Sequence, residues 1–222
     1  MASTTIFGLS LTFTPTALTA LRIAPLLSTT ASLTHAYMEW LTNSSFIGPA
    51  PVDSSLSRFL TNTSSREARI TNLETPAIKQ AQQEVEAAKE LVVPEWFTHF
   101  FNTGVLSVIG FNNLTLMSAA LNIAFSEGLG ESKIFYQAGV GFAAAHYAFV
   151  PLVASSVSAL IGMAARRRKG EGSRTIEGDK GAVGCVNEWV GWHTVRMSTV
   201  DVMAWGCFAW GAINTLTVVP LF

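Results

Sequence analysis

Charged residues are scarce in this chain. Only 13% of its 222 residues are Asp, Glu, Lys or Arg, whereas an ordinary soluble domain contains roughly 25%. The formal net charge is -1, so the chain has no excess of positive charge with which to attract a nucleic acid. The composition therefore argues against a nucleic-acid partner and against an ordinary soluble domain.

Cysteine is nearly absent as well. The chain contains only Cys185 and Cys207, which are too few for a disulfide framework and form no Cys-x-x-Cys pair of the kind that binds zinc or carries redox chemistry. Because Cys207 lies in an apolar run, we expect it to be a packed thiol.

The chain has long apolar runs in place of charge and cysteine. A membrane-spanning helix needs about 20 mostly apolar residues, and three segments qualify: about 96–125, 134–163 and 189–222. With one more span near the N-terminus, the sequence predicts an all-α membrane protein. We expect a four-transmembrane-helix bundle that forms a single membrane domain over residues 1–222.

The first span is the hardest to place. Residues 5–42 form one weakly polar stretch that contains Arg22, Pro25 and Glu39. We place a span at about 17–42, and the alternative is a span at 5–28 followed by an interfacial helix.

Lys and Arg residues predict the orientation. The connection after the third span, "ARRRKGEGSRTIEGDKG", carries six of them, whereas the turn before that span, "SEGLGESK", carries one. The positive-inside rule therefore places the loop 164–187 in the cytosol. By alternation the loop 43–95 is also cytosolic, and both chain ends face the lumen or the exterior. We consequently expect the sequons at Asn43, Asn62 and Asn113 to be unglycosylated.

The first long loop contains a predicted helix. The segment "TPAIKQAQQEVEAAKELVVPEW" follows a stretch rich in Ser, Thr and Pro that we predict to be irregular. Thr75 can cap the helix, Pro76 suits its first turn, and Pro94 is expected to end it. Apolar residues recur at helical spacing, so we expect this cytosolic amphipathic helix to lie against the bundle or the membrane surface. These residues are Ile78, Ala81, Val85 and Ala88.

Each of the four histidines falls in a different predicted span. Ionisable residues inside membrane helices usually face the bundle interior or a cavity, because exposure to lipid is costly. At 1.5 Å per residue, His35, His99 and His193 all lie within roughly 10 Å of the cytosolic boundary. His146 lies deeper, near the middle of its span.

Other polar residues accompany these histidines. Glu39 shares a helix face with His35, and Arg196, three residues after His193, shares a face with it in the same way. We predict a cytosol-facing pocket whose catalytic residues are His35, Glu39, His99, His193 and Arg196. The predicted substrate-binding residues are Tyr37, Asn102, Asn113, His146, Tyr147, Trp189 and Trp192.

Structural roles compete with these assignments. His99 could be an interfacial polar residue, and Arg196 could extend to the lipid headgroups. Trp189 and Trp192 fit interfacial anchors, and His146 fits a hydrogen bond between helices. Asp201 has no assigned role beyond a pair with a neighbour. The functional prediction rests on the common depth of the polar residues.

Two stretches resemble a known family. A first span entered by "TALRIAPLLSTTASL", a four-span layout and a last span opening "EWVGWHTVRM" are similar to the anthrone oxygenase-like integral membrane proteins of fungal polyketide and secondary-metabolite pathways. The resemblance implies a small multi-pass enzyme of the endoplasmic reticulum, a monooxygenase or other oxidoreductase. It implies a hydrophobic, aromatic or polyketide-derived substrate that enters from the bilayer, and it assigns no catalytic residue.

Three classes of function follow. In the first, a tailoring enzyme oxygenates or cyclises a lipophilic intermediate, with His and Glu as acid and base and Arg196 binding an anion. A metal version of this enzyme would hold iron, copper or zinc through His35, Glu39, His99 and His193. The second class is an electron-transfer protein with haem between His99 and His193. The third is a small transporter or scaffold that buries an Arg196–Asp201 pair.

Overall fold

Helices dominate the structure, a computed structural model that describes residues 2–6, 8–49, 54–61, 76–171 and 180–216. The α-helices in these ranges are α1 (Pro15–Ser44), α2 (Ser55–Thr61), α3 (Pro76–Ala124), α4 (Ser132–Ala145), α5 (Val150–Arg168), α6 (Gly181–Arg196) and α7 (Val202–Leu216). A 3₁₀ turn, His146–Phe149, joins α4 to α5, and a π-turn, Met197–Asp201, joins α6 to α7. The predicted helical class is confirmed in its main part.

A two-stranded hairpin precedes α1, and it was not predicted. Strand β1 (Ala2–Ile6) pairs antiparallel with β2 (Leu9–Phe13), and Gly8 adopts a φ of 80° between them. Helix α1 begins only at Pro15, where the Thr14 hydroxyl accepts a hydrogen bond from the Ala17 N–H at 3.2 Å, as an N-cap does. The alternative span at 5–28 is therefore wrong, because residues 5–6 and 9–13 of it are strand.

Two of the helices are long and apolar enough to cross a membrane. One is Pro76–Ala124, in which an 18-residue stretch has a mean hydropathy of 1.5, and the other is Ser132–Arg168, in which such a stretch has 1.9. They contain most of the predicted spans 96–125 and 134–163. Helix α1 covers the predicted span 17–42, and the helical segment 181–216 covers most of the predicted span 189–222, whose last six residues lie outside the described residues. The four-span bundle stays a prediction.

Helix α3 does not end at Pro94, as the sequence predicted, but runs through it. A proline inside a helix leaves the carbonyl four residues earlier without its N–H donor. Here that carbonyl belongs to Glu90, and it accepts a hydrogen bond from Arg167 Nη2 at 3.2 Å. Arg167 Nη1 also donates to the Leu91 carbonyl. The helix continues because a side chain from α5 replaces the lost backbone donor.

The start of α3 is exposed. Val85 is 53% exposed, and Ala81 and Ala88 are exposed too. These three residues of the predicted apolar stripe are therefore open to the surroundings, and their contact with a membrane surface stays a prediction. Upstream, α2 lies in a stretch predicted to be irregular, where Ser54 Oγ accepts the Ser57 N–H at 3.1 Å. The predicted cap, Thr75, lies outside the described residues.

Helix α1 runs through Pro25 in the same way that α3 runs through Pro94. The carbonyl freed by Pro25 is that of Leu21, and Asn122 Nδ2 of α3 donates to it at 2.6 Å. The neighbouring carbonyl of Arg22 accepts a hydrogen bond from the Tyr136 hydroxyl at 2.8 Å. Side chains from other helices therefore satisfy the backbone at this proline, as is common in membrane helices.

The chain divides into two compact units. The first comprises residues 1–40, 100–155 and 191–222, and the second comprises residues 41–99 and 156–190. The core of the first unit includes Tyr136 and Phe208. A Cβ at Gly139 would lie 2.5 Å from the Phe208 ring, so only glycine lets α4 and α7 approach this closely.

Hydrogen bonds of two glutamate side chains hold the helices of the second unit together. The Glu90 carboxylate accepts hydrogen bonds from the N–H groups of Ala182 and Val183 at 2.5 and 3.1 Å, which supplies an acceptor at the start of α6. Just before the predicted fourth span, Glu188 accepts hydrogen bonds from Ser156 Oγ at 2.7 Å and Lys180 Nζ at 3.0 Å. These two bonds hold the pKa of the Glu188 carboxyl below its ordinary value.

The helices of the first unit bury polar residues and expose apolar ones. Arg22 is 3% exposed, whereas Leu106 is 71% and Met117 is 66% exposed. A protein surrounded by water shows the opposite pattern, and a broad exposed apolar surface marks contact with a partner or a membrane.

Candidate functional site

Six ionisable side chains from three helical segments meet inside the first unit. We call this set the polar cluster. Its members are His35 and Glu39 of α1, His146 of the 3₁₀ turn, His193 and Arg196 of α6, and Asp201 of the π-turn. His193, His146 and Glu39 are all buried.

The π-turn brings Asp201 to Arg196. Residues five apart in an α-helix point about 140° away from each other, but Arg196 Nε donates to Asp201 Oδ2 at 3.2 Å. The Val202 N–H bonds to the Met197 carbonyl, five residues earlier, which widens this turn. The hydroxyls of Ser198 and Thr199 bond to carbonyls of the preceding turn and so compete with the regular ladder.

A proline sets the position of His146. Pro151 cannot donate to the Tyr147 carbonyl, and the Val150 N–H bonds to that carbonyl instead. This bond spans three residues instead of four and so tightens the helix into a 3₁₀ turn, which begins at His146. His146 Nδ1 then lies 2.9 Å from Asp201 Oδ1.

Arg196 is the centre of the polar cluster. Besides its bond to Asp201, its Nη1 lies 3.4 Å from His146 Nε2 and its Nη2 lies 3.2 Å from His193 Nδ1. Three of its five N–H groups therefore bond to described residues, and the fork of the guanidinium holds the partners in one arrangement.

The hydrogen bonds determine the tautomers of two histidines. His193 Nε2 lies 2.8 Å from the Ala36 carbonyl, which can only accept, so Nε2 carries the proton and Nδ1 accepts from Arg196. By the same reasoning His146 donates from Nδ1 to Asp201 and accepts at Nε2. Both rings therefore have their two nitrogens occupied as neutral imidazoles.

Glu39 and His35 form a looser pair. His35 Nδ1 lies 3.5 Å from Glu39 Oε1, and Glu39 Oε2 lies 3.8 Å from His193 Nδ1. His35 Nδ1 is buried and has no hydrogen bond to any described residue. A Cβ at Gly104 of α3 would lie 3.3 Å from Glu39 Oε1, so glycine leaves room for this carboxylate.

His35 is the member of the polar cluster that is most open to the surroundings. Its side chain is 28% exposed, whereas that of Glu39 is 8% exposed. The Glu39–His35 pair can therefore exchange a proton with a molecule that reaches His35.

The structure brings four of the five predicted catalytic residues together: His35, Glu39, His193 and Arg196. It adds His146, which the sequence assigned to substrate binding. His99 belongs to the second unit, so its catalytic role stays a prediction. Asp201 was assigned only a buried pair with Arg196, under the transporter or scaffold hypothesis, and the structure contains that pair. Its spacing from Arg196 did not indicate the pair, because a regular α-helix would separate the two residues.

The other predicted substrate-binding residues do not belong to the polar cluster. Asn113 accepts a hydrogen bond from the Tyr147 hydroxyl at 3.3 Å. Trp189 packs edge-on against Phe97 in the second unit. Asn102 lies on α3, and Trp192 is partly exposed on α6. Substrate binding by these residues stays a prediction.

Tyr37 lines a groove of about 540 Å³, a volume typical of ligand sites. Its other walls include Leu33 of α1, Met197 of the π-turn and Trp205 of α7. No polar-cluster residue lines it, because His35 and Glu39 lie on the opposite face of α1. The groove and the polar cluster are therefore separate features.

The described residues do not fit the predicted metal or haem sites. No three His, Cys, Asp or Glu side chains among them converge in a way that could hold a metal ion. His193, which both predictions require, has each ring nitrogen in a hydrogen bond. We therefore derive no chemical step through a metal or a haem.

A second buried network was missed by the sequence reasoning. Arg22 Nη1 donates to Asn122 Oδ1 at 3.1 Å, and its Nη2 donates to the carbonyls of Phe125 and Glu127 at 2.7 and 3.0 Å. These carbonyls follow the end of α3, where a helix has unpaired acceptors and partial negative charge. Arg22 is thus a helix cap, and a basic residue among apolar ones was the available signal.

Comparison with known proteins found no relative: no family model matches the chain, and neither a curated protein nor a solved structure matches it. The polar cluster is therefore the feature of the molecule that indicates a function.

Proposed function

We propose that this protein is a membrane-embedded tailoring enzyme that removes a proton from a lipophilic aromatic or polyketide-derived intermediate and so starts its oxygenation or cyclisation. The observation that carries the proposal is the Glu39–His35 pair, a carboxylate and an imidazole 3.5 Å apart beside a hydrogen-bonded guanidinium. General acid–base catalysis needs such a pair within reach of the substrate.

The membrane setting is part of the proposal. Four helical spans cross the membrane of the endoplasmic reticulum, with the loops 43–95 and 164–187 in the cytosol. The exposed apolar side chains of α3 and α4, such as Leu106 at 71% and Ile134 at 64%, support contact with lipid. A buried arginine, two carboxylates and several histidines in such helices support a functional site.

Glu39 is the proposed base. It takes a proton from a phenol or from a carbon next to a carbonyl, and His35 receives that proton or returns it to the product. Removing this proton creates a phenolate or an enolate. Such an anion is the common first intermediate for attack on dioxygen and for attack on a second carbonyl carbon, which is why one site suits either reaction.

Arg196 stabilises the anion in this proposal. Two of its N–H groups are not used by the hydrogen bonds to Asp201, His146 and His193. A guanidinium that is held in place beforehand stabilises developing negative charge without reorganisation. Asp201 and the two histidines are positioning residues, because they act through Arg196.

The experiment that tests this function starts in the producing cell. Deleting the gene should cause one hydrophobic intermediate to accumulate, and membranes containing the wild-type protein should convert it. Membranes from cells that express Glu39→Gln at the same level should not. The transporter or scaffold alternative makes the opposite prediction: isolated membranes would leave the accumulated compound chemically unchanged.

A further inference from the structure

Helix α2 has one apolar face, and this face is open to the surroundings. Leu56, Phe59 and Leu60 have the spacing of one helix face and fall within an arc of about 100°. Phe59 is 81% exposed, and Leu56 and Leu60 are exposed as well. No residue of α2 is buried, so no described part of the chain covers its apolar face.

The opposite side of α2 is polar and basic. Arg58 lies about 150° from the middle of the apolar arc, and α2 contains no acidic residue. The hydroxyls bond within the helix: Ser57 Oγ lies 2.8 Å from Ser54 Oγ, and Thr61 Oγ1 donates to the Ser57 carbonyl at 2.8 Å. An apolar face opposite a basic one is typical of a helix that lies in the plane of a membrane surface.

Seven residues are too few for a helix to be stable in water by itself. Isolated helices shorter than about 12–15 residues are marginal, and most helical stability in proteins comes from packing of an apolar face. The cap that Ser54 provides satisfies a backbone donor of the first turn but supplies no apolar contact. The apolar face of α2 therefore needs a surface to pack on.

The size of this face favours lipid over a protein partner. Three side chains of this kind offer no more than roughly 400 Å² of apolar surface. A stable protein interface takes about 800 Å² from each partner, which is twice as much. A lipid surface sets no such minimum for a segment whose chain is already anchored in the same membrane.

The chain keeps α2 close to the proposed membrane. Lys89 Nζ of α3 donates to the Gly48 carbonyl at 3.3 Å. Lys89 lies seven residues before the predicted span 96–125, or about 10 Å along a helix. Ser54 follows Gly48 by six residues, which extend to at most about 20 Å. Helix α2 is therefore within reach of the surface that the spans would cross.

We infer that α2 lies in the cytosolic face of the membrane, with Leu56, Phe59 and Leu60 among the lipid chains and Arg58 at the level of the headgroups. The cytosolic leaflet carries negative charge, which favours a helix with a basic and no acidic side chain. The inference rests on the topology proposed above, in which the loop 43–95 is cytosolic, and it is independent of the proposed reaction.

Quenching by lipid tests the inference in the full-length protein, reconstituted in nanodiscs of phosphatidylcholine and phosphatidylserine. An environment-sensitive fluorophore is attached to Leu56→Cys or to Arg58→Cys, the matched control on the opposite face of α2. The wild-type chain, treated in the same way, gives the background from Cys185 and Cys207. Both substituted residues belong to a helix without buried residues, so we expect both variants to fold.

Lipids that carry a nitroxide high on the acyl chain should quench the fluorophore at position 56 at least about twofold more than at position 58, because an interfacial helix buries its apolar face about 5–10 Å deep. Equal quenching at the two positions, or none at position 56, would overturn the inference. A glycan on Asn62, the residue after α2, would place this helix on the lumenal side and would overturn it as well.

Hydrogen exchange of the unlabelled protein in the same nanodiscs provides a second measurement. The amides of α2 should exchange at least about tenfold faster in Phe59→Gln than in the wild type, because burial of the phenyl ring holds this short helix together. Ser55→Gln, off the apolar face, should exchange like the wild type, and unchanged exchange in Phe59→Gln would contradict the inference. Neither measurement depends on product formation, so the inference and the proposed enzyme activity can fail independently.

Discussion

Arg196 shows how much of the polar cluster depends on one side chain. It contacts Asp201, His146 and His193, and removing it would leave the Asp201 carboxylate buried without its cation. Breaking a buried ion pair from one side costs about 3–5 kcal/mol, whereas replacing both partners by apolar residues is often nearly neutral. Replacing Asp201 as well as Arg196 should therefore restore stability without restoring activity.

We predict that Arg196→Met destabilises the protein by about 3–5 kcal/mol and that adding Asp201→Leu restores most of this loss. Activity should be lost in both variants, because neither has a guanidinium to bind the anion. Equilibrium unfolding in detergent and product formation measure the two effects. Wild-type stability in Arg196→Met alone would contradict the contacts described here.

A substitution at Gly104 tests whether the position of the Glu39 carboxylate affects the reaction rate. In Gly104→Ala the new Cβ would lie 3.3 Å from Glu39 Oε1, so the carboxylate has to shift. A shift of a few tenths of an ångström should slow catalysis by up to about 10-fold and affect stability little, since a misplacement of about 1 Å costs about 100-fold. Gly110→Ala is the control on the same helix, because its Cβ would meet nothing within 4 Å. Equal rates in the two variants would show that the position of Glu39 is unimportant.

At the scale of elements, the sequence predicted the long helices correctly but predicted a wrong helix end at a proline. The apolar runs predicted α1, α3 and the long helical segments after them, because length and hydropathy suffice for that. Pro94 was wrongly taken as a helix end, since the donor that replaces its N–H is Arg167, more than 70 residues away. A single sequence does not indicate such a partner.

The site was predictable to a similar extent. Helical spacing correctly paired Glu39 with His35 and His193 with Arg196, since these are local contacts. The pair of Arg196 and Asp201 was named only under the transporter hypothesis, and helical spacing did not support it, because the π-turn changes the periodicity between the two residues. His146 was predicted to lie deeper and to bind substrate. Its contacts with Asp201 and Arg196 were not predicted, because a depth count along each helix does not indicate which helices touch.

The Asn122 side chain donates to the Leu21 carbonyl in place of the backbone N–H that Pro25 lacks, and a variant tests how much this bond contributes. We predict that Asn122→Leu lowers stability by at least about 1–3 kcal/mol, since it leaves the buried Leu21 carbonyl without a donor. Pro25→Ala in the same chain supplies a backbone N–H to that carbonyl and should recover part of the loss. Thermal unfolding of the single and double variants measures this. No recovery would mean that the Leu21 bond contributes little.

At the scale of the whole molecule, the proposed site requires a particular topology in the membrane. The loops 43–95 and 164–187 are proposed to be cytosolic, so the sequons at Asn43 and Asn62 should remain unmodified when the protein is made in a eukaryotic cell. A sequon in an added N-terminal extension should be glycosylated, because that end faces the lumen. Endoglycosidase treatment followed by gel mobility measures both, and a glycan on Asn62 would reverse the orientation.

The central claim is that Glu39 is a base in a membrane-embedded site, and the rate of product formation in isolated membranes tests it most directly. We predict that Glu39→Gln, which keeps the shape and removes the charge, lowers the rate by about 100- to 10,000-fold at an unchanged protein level. Glu86→Gln, at an exposed position, should keep the wild-type rate. A Glu39→Gln protein that forms product as fast as the wild type would contradict the account.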